Sequence, residues 1–217
     1  MITEKESTED RQRIVRAATR LFAALGLDGT PTELIAEAAG VPTGTLRRYF
    51  RSNTELYREV MERAAAAERK ALADALDAFT PTHQGMIRVL DAYLDFYASE
   101  PDMLGLWLHR RAGDAADTAD LDERHSRTKL TWIATAIRDA VPDPSGLDYA
   151  LWTFPWVVSG FLGHGMVYSA DRGGRFGDGH VNRQQLEEFR AYLHALAARV
   201  LALPGAPGRD TPDHTSS

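Results

Sequence analysis

Pro42, Thr43, Gly44 and Thr45, followed by Leu46 and the pair Arg47 and Arg48, form the stretch of this sequence best suited to chemistry with a partner. Two hydroxyls flanking a glycine donate and accept hydrogen bonds while letting another surface come close. Two guanidinium groups, each a rigid fork of donors, match phosphate oxygens or the O6/N7 edge of guanine. Tyr49 adds a phenolic hydroxyl beside them. Groups of this kind recognise rather than turn over. Catalysis has less to work with. There is no cysteine, which removes disulfides and thiolate metal sites. The seven histidines are scattered, with no pair spaced for zinc. Asp122 to His125 comes nearest to the Glu-x-x-His repeat of a di-iron bundle, and it stands alone. No glycine-rich phosphate loop follows a strand, and no nucleophile elbow occurs. The chain is therefore expected to be no enzyme, with no catalytic residue, metal or cofactor.

Helical periodicity recurs along the chain, without sustained two-residue alternation, so the fold class is all-α. Ile14, Ala18, Leu21, Phe22 and Leu25 make a first apolar stripe, ended by Gly26. Pro31 opens a short helix through Ala39, with Thr30 as its N-cap. Gly40 stops that helix, and another runs from Thr43 to Phe50. Ala36 is small enough for two helices to cross steeply, and Gly40 tolerates the positive φ of the turn. Ile35, Ala39, Val41, Leu46 and Tyr49 or Phe50 are spaced to face inward. This is the pattern of a helix-turn-helix, although a short helix-Gly-helix also occurs in all-α proteins of other function.

Charge points the same way. From Arg11 to Arg58 there are eight arginines against four acids, a balance of +4 that leaves −10 for the rest of a chain whose total is −6. A basic N-terminal quarter on an acidic body implies that one end meets phosphate and the other does not.

The run RIVRAATRLFAALGLDGTPTELIAEAAGVPTGTLRRYFRSNTELYREVM, residues 13–61, resembles the DNA-binding region of TetR/AcrR-type regulators. Their pattern is a helix ending in F-x-x-x-G, then T-x-x-x-I-A-x-x-A-G-V, then G-T-[LIV]-x-x-[YH]-F, then a polar step and E-x-L. Phe22, Gly26, Thr30, Ile35, Ala36, Ala39, Gly40, Val41, Gly44, Thr45, Leu46, Tyr49, Phe50, Glu55 and Leu56 match it. The resemblance implies Pro42, Thr43, Gly44 and Thr45 near bases, with Arg47, Arg48 and Tyr49 on the DNA backbone. It also sets Thr32 close to a phosphate. Asn53 stands where the family commonly has a phosphate-binding lysine, and Thr32 occupies a usually apolar place.

Beyond this segment the resemblance carries no motif. Ser52 caps a long helix, with Glu55 completing a capping box, and Leu56, Val60, Ala64, Ala67 and Ala71 continue it towards Phe79. Further helices carry Ile87, Leu90, Leu94 and Tyr97; then Trp107 after Pro101; then Leu130, Ile133, Ile137 and Val141; then 147–170. The last helix carries Leu186, Phe189, Leu193, Leu196 and Val200. The expected architecture is thus about nine helices in total: a disordered arm over 1–10, a three-helix helix-turn-helix domain over 11–57, an effector-binding and dimerisation domain over 58–203, and a disordered tail over 204–217. Gly173 to Gly179 is expected to be a mobile loop.

In the body, Ser159, Gly160, Gly163 and Val167, with Phe189, Leu193, Leu196 and Val200, are the candidate dimer interface. Each helical glycine costs about 1 kcal/mol against alanine, which close approach to another helix explains; tight packing within one chain is the other explanation. The resemblance implies a four-helix dimer interface from these segments. Tyr93, Phe96, Met103, Trp107, His109, Trp132, Trp152 and Trp156 are candidate lining for an apolar ligand, or simply core. Pro155 inside its helix is expected to kink it beside Trp152 and Trp156.

The expected function is a cytoplasmic, sequence-specific DNA-binding regulator: a homodimer on a palindromic double-stranded operator, acting as a repressor released by a small, largely apolar effector. A ligand-dependent activator and a helical interaction scaffold are the alternatives. No stretch reaches the roughly 18 consecutive apolar residues of a membrane span, since Leu151 to Tyr168 is broken by Pro155 and several glycines.

Overall fold

The computed structural model describes residues 4–113, 128–164 and 181–207. Among them are nine helices and no strand: α1 (Glu4–Leu25), α2 (Thr32–Ala39), α3 (Thr43–Tyr49), α4 (Asn53–Asp77), α5 (His83–Ser99), α6 (Pro101–Arg111), α7 (Thr128–Ile137), α8 (Leu147–His164) and α9 (Arg183–Leu201). The chain divides into two compact units, Met1–Arg69 with Tyr97–His125 and Lys70–Phe96 with Ser126–Ser217. Helix α6 packs against α1 and so joins the first unit.

In the first unit, α1 buries Ile14, Ala18 and Phe22 completely, while Leu25 at the end of the stripe is 46% exposed. Phe22 meets Tyr57 of α4 edge-on, ring centroids 5.3 Å apart. Close contact between α1 and α6 depends on Gly105, where a Cβ would lie 2.6 Å from the Ala23 carbonyl oxygen. The expected arm over 1–10 is corrected here. Helix α1 begins at Glu4, because Glu, Lys and Arg are good helix formers and the polar composition does not oppose extension.

Two caps also differ from expectation. Thr30 is buried and its hydroxyl donates back to the Gly26 carbonyl at 2.6 Å, so it closes the end of α1 instead of capping α2. Pro31 stands at the α2 N-cap without a side-chain bond, its carbonyl accepting from Leu34 and Ile35. At α4 the Ser52 hydroxyl accepts from the Glu55 N–H at 3.1 Å, and the Glu55 carboxylate reaches the Arg51 N–H at 2.7 Å, one residue before the expected partner. Along α4 the buried face runs through Ala64, Ala65, Glu68 and Leu72, with Ala67 and Ala71 turned outward.

In the second unit α8 packs on α7 and on α9. Phe161 and Phe189 stack nearly parallel with centroids 3.8 Å apart. A full capping box starts α9: Asn182 accepts from the Gln185 N–H while the Gln185 side chain accepts from the Asn182 N–H. Arg190 of α9 donates to Asp91 and Asp95 of α5, and His194 Nε2 lies 2.7 Å from the same Asp91 carboxylate. Order continues past Pro204, where a disordered tail is expected. The Pro204 carbonyl accepts from the His83 N–H at 2.9 Å, and Leu203 and Ala206 are buried. The Gly173–Gly179 loop and residues 208–217 lie outside the described residues. Among the described residues no helix is long and apolar enough to cross a membrane.

Candidate nucleic-acid interface

Helices α2 and α3 meet through a turn that only a few residue types tolerate. Gly40 has φ +66°, in the left-handed region, and the Val41 N–H returns to the Ala36 carbonyl at 3.0 Å. Ile35, Ala36, Ala39, Val41, Leu46 and Phe50 are buried and lock the corner. The Pro42 carbonyl then starts α3, accepting from Thr45 and Leu46.

Within α3 only Leu46 is buried. Pro42, Gly44, Arg47 and Arg48 are exposed, and Thr43, Thr45 and Tyr49 are half-buried. The helix thus presents one continuous polar face, with hydroxyls at its start and guanidinium groups at its end. Gly44 is notable: a Cβ there would meet nothing within 4 Å. Glycine weakens a helix by about 1 kcal/mol relative to alanine, and nothing inside the chain requires it. Its smallness serves whatever approaches from outside.

Thr32 sits half-buried in the first turn of α2, beside exposed Glu33. Glu33 carries a contact that the sequence does not reveal, an ion pair to Arg47 at 3.2 Å. Asn53 is corrected. Its side-chain Nδ2 donates to the Thr30 carbonyl at 2.6 Å, so the amide ties the start of α4 to the α1–α2 corner and is turned away from a partner. A lysine in that place would point its charge outward; the short amide finds a buried carbonyl instead. Arg11 is likewise engaged, lying over the Phe50 ring and pairing with Glu59 at 3.3 Å. Burial pushes the Glu59 carboxyl up, but Arg63 and Arg11 together outweigh it and hold the group below its usual range.

These residues sit within a recognised segment. Residues 14–60 match the family model described as bacterial regulatory proteins, tetR family. Over these residues the chain is similar to that family. It is 38% identical over 60 residues to the HTH-type transcriptional regulator AcrR of Shigella flexneri, a match covering 28% of each chain. A longer match links it to the HTH-type transcriptional regulator YhgD of Bacillus subtilis, 23% identical over 135 residues, or 62% of this chain and 71% of the relative. In fold, the chain is similar to the crystal structure of a TetR-like transcriptional regulator from Rhodococcus sp., with TM-score 0.67, 22% identity, and coverage of 89% and 96% of the two chains. The match spans α1 to α3 and the start of α4, and so contains the helix-turn-helix.

The candidate ligand residues are not gathered into one unit. Met103, Trp107 and His109 belong to the first, whereas Tyr93, Phe96, Trp132, Trp152 and Trp156 belong to the second. Tyr93 and Phe96 are buried, with Lys129 5.5 Å above the Tyr93 ring. Trp107 is buried, and its indole N–H has no acceptor among the described residues. Trp132 and Trp156 depart from expectation, being 48% and 54% exposed. Trp132 lies against Phe79, and Trp156 stacks with half-buried Trp152 at 6.2 Å. Helix α8 continues through Pro155.

Of the candidate interface residues, Phe189, Leu193 and Ser159 are buried within the chain itself. On α9 the inward stripe is Phe189, Leu193, Ala197 and Leu201, so two of the interface candidates on that helix pack inside the chain. Val200 is 41% exposed and Leu196 half-buried, on a face shared with exposed Tyr192. Gly160 and Gly163 are exposed, whereas Val167 lies outside the described residues.

Proposed function

We propose that this chain is a TetR-family repressor which binds a palindromic or near-palindromic operator as a homodimer and leaves it when a small, largely apolar effector binds. DNA recognition is assigned to residues 11–57, effector binding and dimerisation to 58–203. The observation that carries the reading is the outward face of α3, where Thr43, an unobstructed Gly44 and Thr45 lead into exposed Arg47 and Arg48. Small and hydroxyl residues fit base edges, and the arginines fit phosphate or guanine. Thr32 and Tyr49 flank this face as backbone contacts.

Dimerisation is supported by α8 and α9. A Cβ at Gly160 would meet nothing within 4 Å among the described residues, so their packing does not account for the glycine. Tyr149, Trp156, Tyr192 and Val200 supply apolar surface, from 41% to 77% exposed, on the same two helices. A symmetric pairing brings two α3 helices to one operator, which for helix-turn-helix dimers requires a separation of about 34–36 Å. Effector binding then acts by linkage: a ligand that prefers one conformation of the body changes operator affinity, typically by about 1–3 kcal/mol. Within the second unit, buried Tyr93 and Phe96 supply aromatic surface for such a ligand. The cytoplasm is the compartment this role requires.

The test is capture of genomic fragments by the purified protein at low salt. A discrete set of fragments, lost when Thr43 and Arg48 are both replaced by alanine, is the expected result. Retention of no fragment above background overturns the reading.

A further inference from the structure

Glu33 and Arg47 are separated by fourteen residues and joined across the α2–α3 corner, the Arg47 Nη2 donating to Glu33 Oε1 at 3.2 Å. Both side chains are about two-thirds exposed, at 67% and 64%. The pair does little for the fold, because ion pairs this exposed contribute little and buried Ile35, Ala36, Val41 and Leu46 already fix the corner. Its consequence lies in what Arg47 is free to do. A carboxylate on one edge of the guanidinium fork neutralises its charge and occupies a donor that DNA would otherwise take. Arg48, next in sequence and equally outward, has no ion pair among the described residues. Two adjacent arginines are thereby made unequal.

We propose that Glu33 is a specificity-determining positioning residue, holding Arg47 back from generic phosphate so that only a better acceptor draws it away. This rests on α3 being the recognition helix. On random duplex, exchanging a carboxylate oxygen for one phosphate oxygen trades one charge-assisted bond for another. It also leaves a bare carboxylate facing the phosphates, so the exchange is disfavoured. On a guanine O6/N7 edge the fork meets two acceptors at once, and the exchange proceeds. Discrimination comes from the repulsive element as much as from the new contact.

Glu33→Gln keeps the shape and removes the charge. Wild type, Glu33→Gln, Arg47→Ala and the double variant are titrated over a salt series. The probes are a labelled random-sequence duplex and a genomic fragment captured by wild type. Freeing Arg47 adds one phosphate contact per protomer. Glu33→Gln is therefore expected to steepen the random-duplex salt slope by about 0.9 per protomer, tighten binding roughly tenfold at about 0.1 M salt, and lower the fragment-to-random ratio. In the Arg47→Ala background the same substitution is expected to gain far less, with thermal midpoints alike throughout. An equal gain in both backgrounds overturns the proposal, since it marks simple repulsion, and so does an unchanged slope. If wild type binds neither duplex at low salt, the recognition-helix reading falls and this one with it. Salt-dependent wild-type binding with an inert Glu33→Gln overturns this proposal alone.

Discussion

At Asn53 the amide donates to the Thr30 carbonyl while its own Oδ1 is buried without a partner among the described residues. Position in the motif marks it as a DNA contact, whereas the bond commits it to the fold. His83 is a second residue whose role depends on surroundings that lie far away in sequence. It is buried, its Nδ1 has no hydrogen-bond partner among the described residues, and its pKa is held below the usual 6.5, first by burial and then by nearby His194. Folding therefore favours the neutral ring, while the unfolded chain takes up a proton at the ordinary value. Between the lowered folded value and 6.5 the unfolded state binds more protons, so stability rises with pH through that window and is lost as pH falls through it. The thermal midpoint is expected to drop between about pH 7.5 and about pH 5.5, and to drop less in His83→Gln. Equal drops would remove His83 from the account. Neither residue's role is legible in sequence, because each depends on a partner more than twenty residues away, whereas Leu46 inward and Arg48 outward follow from helical spacing alone.

Elements were legible where a single residue decides a boundary. Gly26 and Gly40 both adopt positive φ and end α1 and α2, as their residue type dictates. The Asn182–Gln185 capping box that starts α9 was not singled out from the sequence, where only the apolar stripe from Leu186 marks the helix. What spacing does not supply is which helices touch. Gly105 looks like any helical glycine, yet it allows α6 to meet α1 at Ala23 and so places α6 in the same unit as the helix-turn-helix. Gly105→Ala gains helix propensity but sets a methyl 2.6 Å from a backbone oxygen that cannot move aside. Overpacking of that kind typically costs about 1–3 kcal/mol. A lower urea midpoint is expected, and a stabilised variant would show that α1 and α6 pack less closely than described. The split of the α9 stripe has a similar origin. Steps of four residues from Phe189 stay inside the chain as far as Leu201, while Tyr192 and Val200 face out.

At the scale of the whole molecule, a basic segment on an acidic chain fits the proposed dimer, in which each copy touches DNA through one small part. Trp156 and Gly160 lie one turn apart on α8, both exposed. Charge at Trp156 should therefore break the pairing and leave the helix-turn-helix folded. Trp156→Glu is expected to shift the mass by light scattering from about twice 24.0 kDa to 24.0 kDa, with the helical circular dichroism retained. An unchanged dimer would move the interface elsewhere.

The account stands on α3 entering the major groove, and methylation interference on a captured operator fragment tests that most directly. Guanine N7 lies in the major groove and adenine N3 in the minor groove. Methylated guanines in two clusters centred about 10 base pairs apart are expected to abolish binding, while adenine N3 methylation there is tolerated. Interference confined to adenine N3, or none at either base, would contradict it.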